Sequence, residues 1–387
     1  MAKGGAMGTS IFDEMGTKPV INARGIYSML GGSVFSPRVW AAMEAAARSY
    51  ADMADLIAAA GRVIAGLLGT EAALPTPGVA ASLALASAAF VAEGDGAKLE
   101  RLPDVAGMKT DVLIQQRHRY RYDRALRLSG ARLVAVGDEN GTTVDQLAAA
   151  LGPRTAAICV PAHLDGEPGT VSLADVIATA HRQDVPVLVD AAYLVYPIER
   201  LLALARSGAD VVCFSAKYMG GPNAGGFVCG RTTWVDAVSR AGFTSFELGE
   251  HRVFGRPFKL DRHTVVGVVA ALQEWLEMDH DARQEGYERK VQTMMGALSG
   301  VPGIELTPCS FSMEETLIPE PVNCLHVRIT PETGTTARDL GAELWALNPA
   351  IALHARDDTL MAVVETLAEG EEEIVAGRIR DALVRRR

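Results

Sequence analysis

Two apolar runs in this chain end on, or just before, a single ionisable residue, and that pattern limits what the chain can fold into. V-P-V-L-V-D-A-A from Val185 closes on Asp190, and D-V-V-C-F-S-A-K from Asp210 leads into Lys217. Short β-branched runs without polar alternation suit strands of a parallel sheet covered on both faces. In such sheets, ligands gather at the carboxyl ends of the strands. Five further runs, at 72–76, 111–116, 131–136, 156–161 and 226–229, join 185–190 and 210–215 as strand candidates. Helix-period segments lie between most of them. One follows Ser36-Pro37, a cap residue with proline at the first helical position, and another starts at Ser172 with Asp175 in its first turn. The alternation predicts an α/β domain on a mainly parallel, seven-stranded sheet.

Beyond a long helical segment at 262–278 the pattern changes. Runs at 322–328, 336–346, 351–355, 359–364 and 371–384 read as a small β-α-β-β-α domain. A chain of 387 residues is long for one simple domain. The expected organisation is an N-terminal segment (1–35), a large α/β domain (36–260), a linking helix (261–300) and a small α+β C-terminal domain (301–387). With 49% hydrophobic and 22% charged residues the chain is globular rather than disordered. Its net charge of −10 lacks the basic footprint of a nucleic-acid binder. The longest apolar or small stretch, 79–92, is too short to cross a bilayer, and the opening M-A-K-G-G-A-M-G has no signal core. Cys159, Cys213, Cys229, Cys309 and Cys324 show no C-x-x-C spacing. They read as buried free thiols, and a cytoplasmic address is expected.

A carboxylate and a lysine delivered to one sheet edge suit pyridoxal 5'-phosphate (PLP). The lysine would form the Schiff base, and the carboxylate would keep the pyridine nitrogen protonated so that the ring accepts carbanion electrons. The plainer alternative is a solvated Asp and Lys at two strand ends. A phosphate site is sought in L-P-T-P-G-V-A-A-S from Leu74, where Thr76 and Gly78 lead into an alanine-rich helix starting at Val79. First-turn N–H groups there would face a phosphate, although many Pro-Gly turns only redirect the chain. Ser215, two residues before Lys217, adds a candidate hydroxyl. In I-Q-Q-R-H-R-Y-R-Y-D from Ile114, His118 offers a flat ring for the pyridine face, against the commoner structural role of a lone histidine. Arg117, Arg119, Arg121 and Arg124 cannot share one face at helical spacing, and Arg119 is the site candidate among them.

Several segments then occur in a specific order: V-I-N-A-R-G from Val20, L-G-G-S from Leu30, the turn at 76–81, and G-M-K-T-D-V-L-I-Q-Q-R-H-R from Gly107. Tyr122-Asp123, S-G-A-R-L-V from Ser129, 185–192, F-S-A-K from Phe214, Gly221-Pro222, G-R-P-F-K from Gly255 and G-E-E-E-I from Gly370 follow. From about residue 12 to 385 the chain resembles the fold-type-I PLP-dependent enzymes related to bacterial selenocysteine synthase (L-seryl-tRNA(Sec) selenium transferase). It is similar to the shorter branch that includes D-glucosaminate-6-phosphate ammonia-lyase. The resemblance implies a PLP-carrying large domain and active sites completed at a subunit interface, hence a homodimer or larger homo-oligomer. It implies Lys217 as the Schiff-base lysine, Asp190 as the pyridinium partner and His118 as the ring-stacking residue. Thr76, Gly78, Val79 and Ser215 would lie by the phosphate, with Arg256 and Lys259 reaching it from a basic motif. Asn22 and Arg24 would approach the substrate.

Three departures qualify these implications. The family's S-G-G-K is here Ser215-Ala216-Lys217, one residue shorter. Relatives often carry an arginine where this chain has Glu365, so the substrate carboxylate anchor is in question, with Arg356 as a substitute. No additional RNA-binding domain is expected, and the acidic balance disfavours tRNA. The resulting expectation is abstraction of the Cα proton of a small amino acid or amino sugar acid, followed by α,β-elimination to a 2-keto acid. Racemase, aldolase and aminotransferase chemistry stay open, as does a non-catalytic PLP-binding protein. A plain nucleotide-binding protein would want G-x-G-x-x-G after its first strand, which is missing.

Overall fold

The computed structural model describes residues 11–312, the backbone of 317–318, and residues 321–386. The opening segment read above for a signal core therefore lies outside the described residues. The chain divides into two compact units, one of residues up to Gly31 with those from Met278 onward, the other Gly32–Glu277. The stretch 261–300 holds two helices, Arg262–Glu277 and His280–Leu298, which fall in different units.

The larger unit is built on seven strands: β1 (Ala72–Thr76), β2 (Asp111–Gln115), β3 (Arg132–Val136), β4 (Thr155–Pro161), β5 (Val187–Asp190), β6 (Val211–Ser215) and β7 (Gly226–Gly230). Their order across the sheet is β1-β7-β6-β5-β4-β2-β3. All run parallel except β7, which is antiparallel to both of its neighbours. Every residue of β5 and β6 is buried, which is why these runs show no polar alternation. Pro75 sits in β1, an edge strand, where a missing N–H costs least. The helix Val79–Val91 is buried at every residue from Ala81 onward, as an all-round apolar helix must be. Its Ser87 hydroxyl is satisfied by the Leu126 carbonyl at 2.8 Å. The caps foreseen at Ser36 and Ser172 both form, accepting from Val39 and Asp175 N–H.

The smaller unit centres on an antiparallel sheet in the order Leu317–Ile318, Ile304–Phe311, Cys324–Ile329, Thr359–Val363, His354–Arg356. The strand Ile304–Phe311 was not anticipated. Helices His280–Leu298, Ala337–Ala346 and Glu371–Val384 supply the rest of its core, with Val291, Leu340 and Ile379 fully covered. The N-terminal segment joins this unit through a parallel pair, Val20–Asn22 with Ala350–Ala352. All five cysteines are free and buried. Among the described residues no helix is long and apolar enough to cross a membrane.

Candidate active site

Parallel strands deliver their following loops to one edge of the sheet, and the chemistry-bearing residues of the larger unit collect there. Asp190 ends β5, and its register partner on β6 is Cys213, two residues before Ser215 and four before Lys217. Asp190 is 4% exposed. One carboxylate oxygen accepts the Tyr120 hydroxyl at 2.5 Å, the other the Ala192 N–H at 3.1 Å. Burial raises its pKa and these two donors only partly offset the shift. Among the described residues no basic side chain forms a salt bridge with it. A buried carboxylate in that situation calls for a cationic partner.

Lys217 lies in a 3-10 turn, Ala216–Met219, directly after β6. Its Nζ sits 4.8 Å over the Tyr218 ring, and burial lowers its pKa below the ordinary lysine value. Its backbone carbonyl accepts the Ser33 hydroxyl, so the L-G-G-S segment braces this turn. Gly32 packs on Asn223, whose side-chain oxygen is buried with no hydrogen-bond partner among the described residues.

The Gly78 turn is next to β7. Gly78 caps the Val79–Val91 helix at φ 81°, a conformation open to glycine and costly for other residues. Gly226, the first residue of β7, pairs with both Thr76 and Ser215 and runs hard against Gly78. Thr76 is buried, its hydroxyl 2.7 Å from that of Ser82, which in turn donates to the Gly78 carbonyl. Thr76 thus shapes the turn from inside. The first N–H groups of a helix have no acceptor of their own and point out of its N-terminus, here into a glycine turn free of side-chain bulk. A buried carboxylate with no salt-bridge partner among the described residues, a lysine whose pKa burial lowers and an anion-ready helix start suit PLP, so the residues present fit the group.

A chain of aromatic rings links these parts. Tyr120 and His163 have ring centres 5.5 Å apart, His163 and Tyr193 5.6 Å, Tyr193 and Tyr218 5.9 Å. Tyr120, His163, Tyr193, Tyr218 and Asn223 all went unselected in the sequence. All follow strand ends or precede β7, which was the available signal.

A profile of the family described as Aminotransferase class-V matches residues 122–323. The chain belongs to that family. D-glucosaminate-6-phosphate ammonia lyase of Salmonella typhimurium is 30% identical over 97% of this chain and 98% of its own length. A 5'-C-glycyluridine monooxygenase-decarboxylase of a Streptomyces species is 31% identical over 89% of this chain and 84% of its own. L-seryl-tRNA(Sec) selenium transferase of Moorella thermoacetica is 26% identical over 95% and 82%. A solved D-glucosaminate-6-phosphate ammonia-lyase superposes with a TM-score of 0.85 at 28% identity, covering 98% of this chain and 99% of that one. The fold is the fold-type-I PLP transferase fold, as the motif order implied.

The remaining candidates divide. His118 is fully buried, its Nε2 donating to the Leu164 carbonyl at 3.0 Å and its Nδ1 facing the Gln115 amide at 3.3 Å. Tyr120, two residues on, makes the contact with Asp190. Arg119 is exposed and engaged by Asp123 at 2.5 Å, and Arg256 by Glu247 at 2.6 Å. Lys259 is exposed.

In the smaller unit, the Asn22 side chain closes a turn by accepting from Arg24 N–H and donating to the Gly25 carbonyl. Arg24 lies 5.5 Å over the Tyr27 ring, and its Nε is buried with no hydrogen-bond partner among the described residues. Glu365 accepts Ile26 N–H, and burial raises its pKa against the opposing charge of Arg283. Arg356 is exposed, its nearest carboxylate, Asp357, 3.9 Å away.

Proposed function

We propose that this protein is a PLP-dependent lyase that removes the Cα proton of a small amino acid or amino sugar acid and expels a β-hydroxyl, giving a 2-keto acid and ammonia. The observation that carries this reading is Asp190, a buried carboxylate at the end of β5, next to the strand that presents Lys217. Bound there, PLP supplies an electron sink for the charge left at Cα. Asp190 holds the ring nitrogen protonated. Gly78, Val79 and Ser215 hold the phosphate, with Thr76 bracing the turn behind them. Lys217 would hold the cofactor, and with PLP bound its amine would take the Cα proton and return a proton to the departing oxygen, which would leave as water. Burial, by lowering the Lys217 pKa, increases the unprotonated fraction that can do this. The released enamine takes up water and loses ammonia. The Salmonella relative is named as an ammonia lyase for an amino sugar acid, which favours this reaction over racemisation or aldol cleavage.

Substrate contacts are proposed for Asn22 and Arg24, with Arg119 and Arg356 as outer cations and Arg256 as a phosphate partner contributed from a second copy. A homodimer or larger assembly is part of the proposal. Val34, Trp40 and Tyr50 leave 92%, 57% and 97% of their surface exposed within one short stretch of the larger unit. Exposed apolar side chains such as these support that proposal. A cytoplasmic address suits five buried free thiols. Two measurements test the function. Borohydride treatment of the protein with PLP should fix a pyridoxyl group on Lys217, located by peptide mass spectrometry. A panel of β-hydroxy amino acids and amino sugar acids should then release 2-keto acid and ammonia. A label on any other lysine, or inversion of configuration without ammonia release, would count against the reading.

A further inference from the structure

Tyr120 is absent from the roles above, yet it makes the shortest side-chain contact to Asp190. We propose that Tyr120 is the positioning residue for Asp190: its hydroxyl keeps the carboxylate ionised and in a single orientation for the ring nitrogen of PLP. The inference rests on the reading of Asp190 as the ring-nitrogen partner.

The geometry is specific. The Tyr120 hydroxyl lies 2.5 Å from one carboxylate oxygen while Ala192 N–H, 3.1 Å away, holds the other. With one donor on each oxygen, rotation about the side chain's last bond breaks both contacts at once. Among the described residues no other hydrogen bond to the carboxylate is formed. Val189 precedes Asp190 on its own strand, and Cys159 on β4 and Cys213 on β6 approach it as buried thiols. A carboxylate so enclosed stays charged only through the hydrogen bonds it accepts, and each oxygen keeps a lone pair for a further N–H. Tyr120 cannot serve as the proton source itself, because burial and the neighbouring carboxylate raise its pKa far above the usual phenol value. It remains a donor throughout.

Tyr120 is itself fixed. The turn that precedes it is tied down by His118, bonded to Leu164 and Gln115, and Gln115 is bonded in turn to both backbone groups of Val171. His118 thus anchors the turn that aims Tyr120.

The test uses apoprotein titrated with PLP and, separately, with the analogue in which C–H replaces the pyridine nitrogen, followed by tryptophan fluorescence and visible absorbance. The proteins are wild type, Tyr120→Phe, Asp190→Asn and the double variant. Phenylalanine keeps the ring and any stacking it provides, and circular dichroism checks that each protein is folded. A hydrogen bond to a charged group corresponds to a loss of roughly 10- to 100-fold in PLP affinity for Tyr120→Phe. The analogue should bind wild type and Tyr120→Phe within about threefold of each other, and in the Asp190→Asn background the second substitution should change PLP affinity by less than about threefold. Equal losses for PLP and the analogue, or additive losses in the double variant, would show that Tyr120 acts only by packing and would overturn the proposal. If Asp190→Asn leaves the preference for PLP over the analogue unchanged, the reading of Asp190 fails first and the proposal falls with it.

Discussion

Gly226→Ala probes the place where the two halves of the candidate site meet. A Cβ at Gly226 would stand 2.7 Å from the Phe214 carbonyl oxygen and 3.1 Å from the Gly78 Cα. Both are backbone atoms, so no side chain can swing away. Ordinary contact begins near 3.4 Å, so the Phe214 carbonyl must retreat by about 0.7 Å and the Gly78 turn by about 0.3 Å. Overpacking of this kind costs about 1–3 kcal/mol. For a folding unit of this size, that corresponds to a fall in melting temperature of roughly 2–12 °C. Because the wedge falls between the strand leading to Lys217 and the turn capping the helix proposed to hold the phosphate, PLP affinity should fall as well, by about tenfold or more. The assays are thermal unfolding of apoprotein and PLP titration of the folded variant below its transition. Gly152→Ala, where an added Cβ meets nothing within 4 Å, is the control and should stay within about 0.5 kcal/mol of wild type. A Gly226→Ala protein that melts with wild type and binds PLP equally well would refute the steric reasoning.

Within the helix Met53–Leu68, the same substitution should act in opposite directions. Gly61→Ala places a Cβ 2.2 Å from the Ala73 carbonyl and should destabilise strongly, whereas Gly66→Ala meets nothing and should stabilise by about 0.5–1 kcal/mol, read by denaturant unfolding. Asp190→Asn should raise apoprotein stability at neutral pH. The folded pKa of Asp190 is raised by burial, so a penalty sets in as pH climbs above the unfolded value of 3.8 and is complete once pH exceeds the folded value. The advantage of the asparagine should therefore shrink on acidification, and an advantage independent of pH would contradict the assignment. Lys217, with its pKa lowered by burial, should react with an amine reagent along a titration curve centred below 10.5, measured by peptide mass spectrometry against exposed Lys259.

The sequence showed the strands of the large sheet well because burial on both faces leaves uninterrupted apolar runs, and Asp190 and Lys217 stood out as the polar exceptions. It could not show that β7 inserts between β1 and β6, since no local pattern encodes that pairing. Ile304–Phe311 escaped because Pro308 interrupts it. The strand tolerates the proline, since among the described residues its partner beyond Cys324–Ile329 is the two-residue Leu317–Ile318, paired at Ser310 and Phe311. Tyr120 drew no attention in the sequence because a tyrosine in an Arg- and Tyr-rich turn carries no local mark of a partner. Which of two neighbouring rings faces Asp190 depends on a contact 70 positions along the chain.

β1 has one partner, β7, and roughly 150 residues separate them. At ribosomal speeds of about 5–20 residues per second, Ala72–Thr76 waits on the order of ten to thirty seconds before the strand that completes it has been made. During that interval the Gly78 turn has no sheet behind it. The proposed phosphate site is therefore among the last parts of the larger unit to assemble, and a nascent chain stalled before Gly226 should not retain PLP.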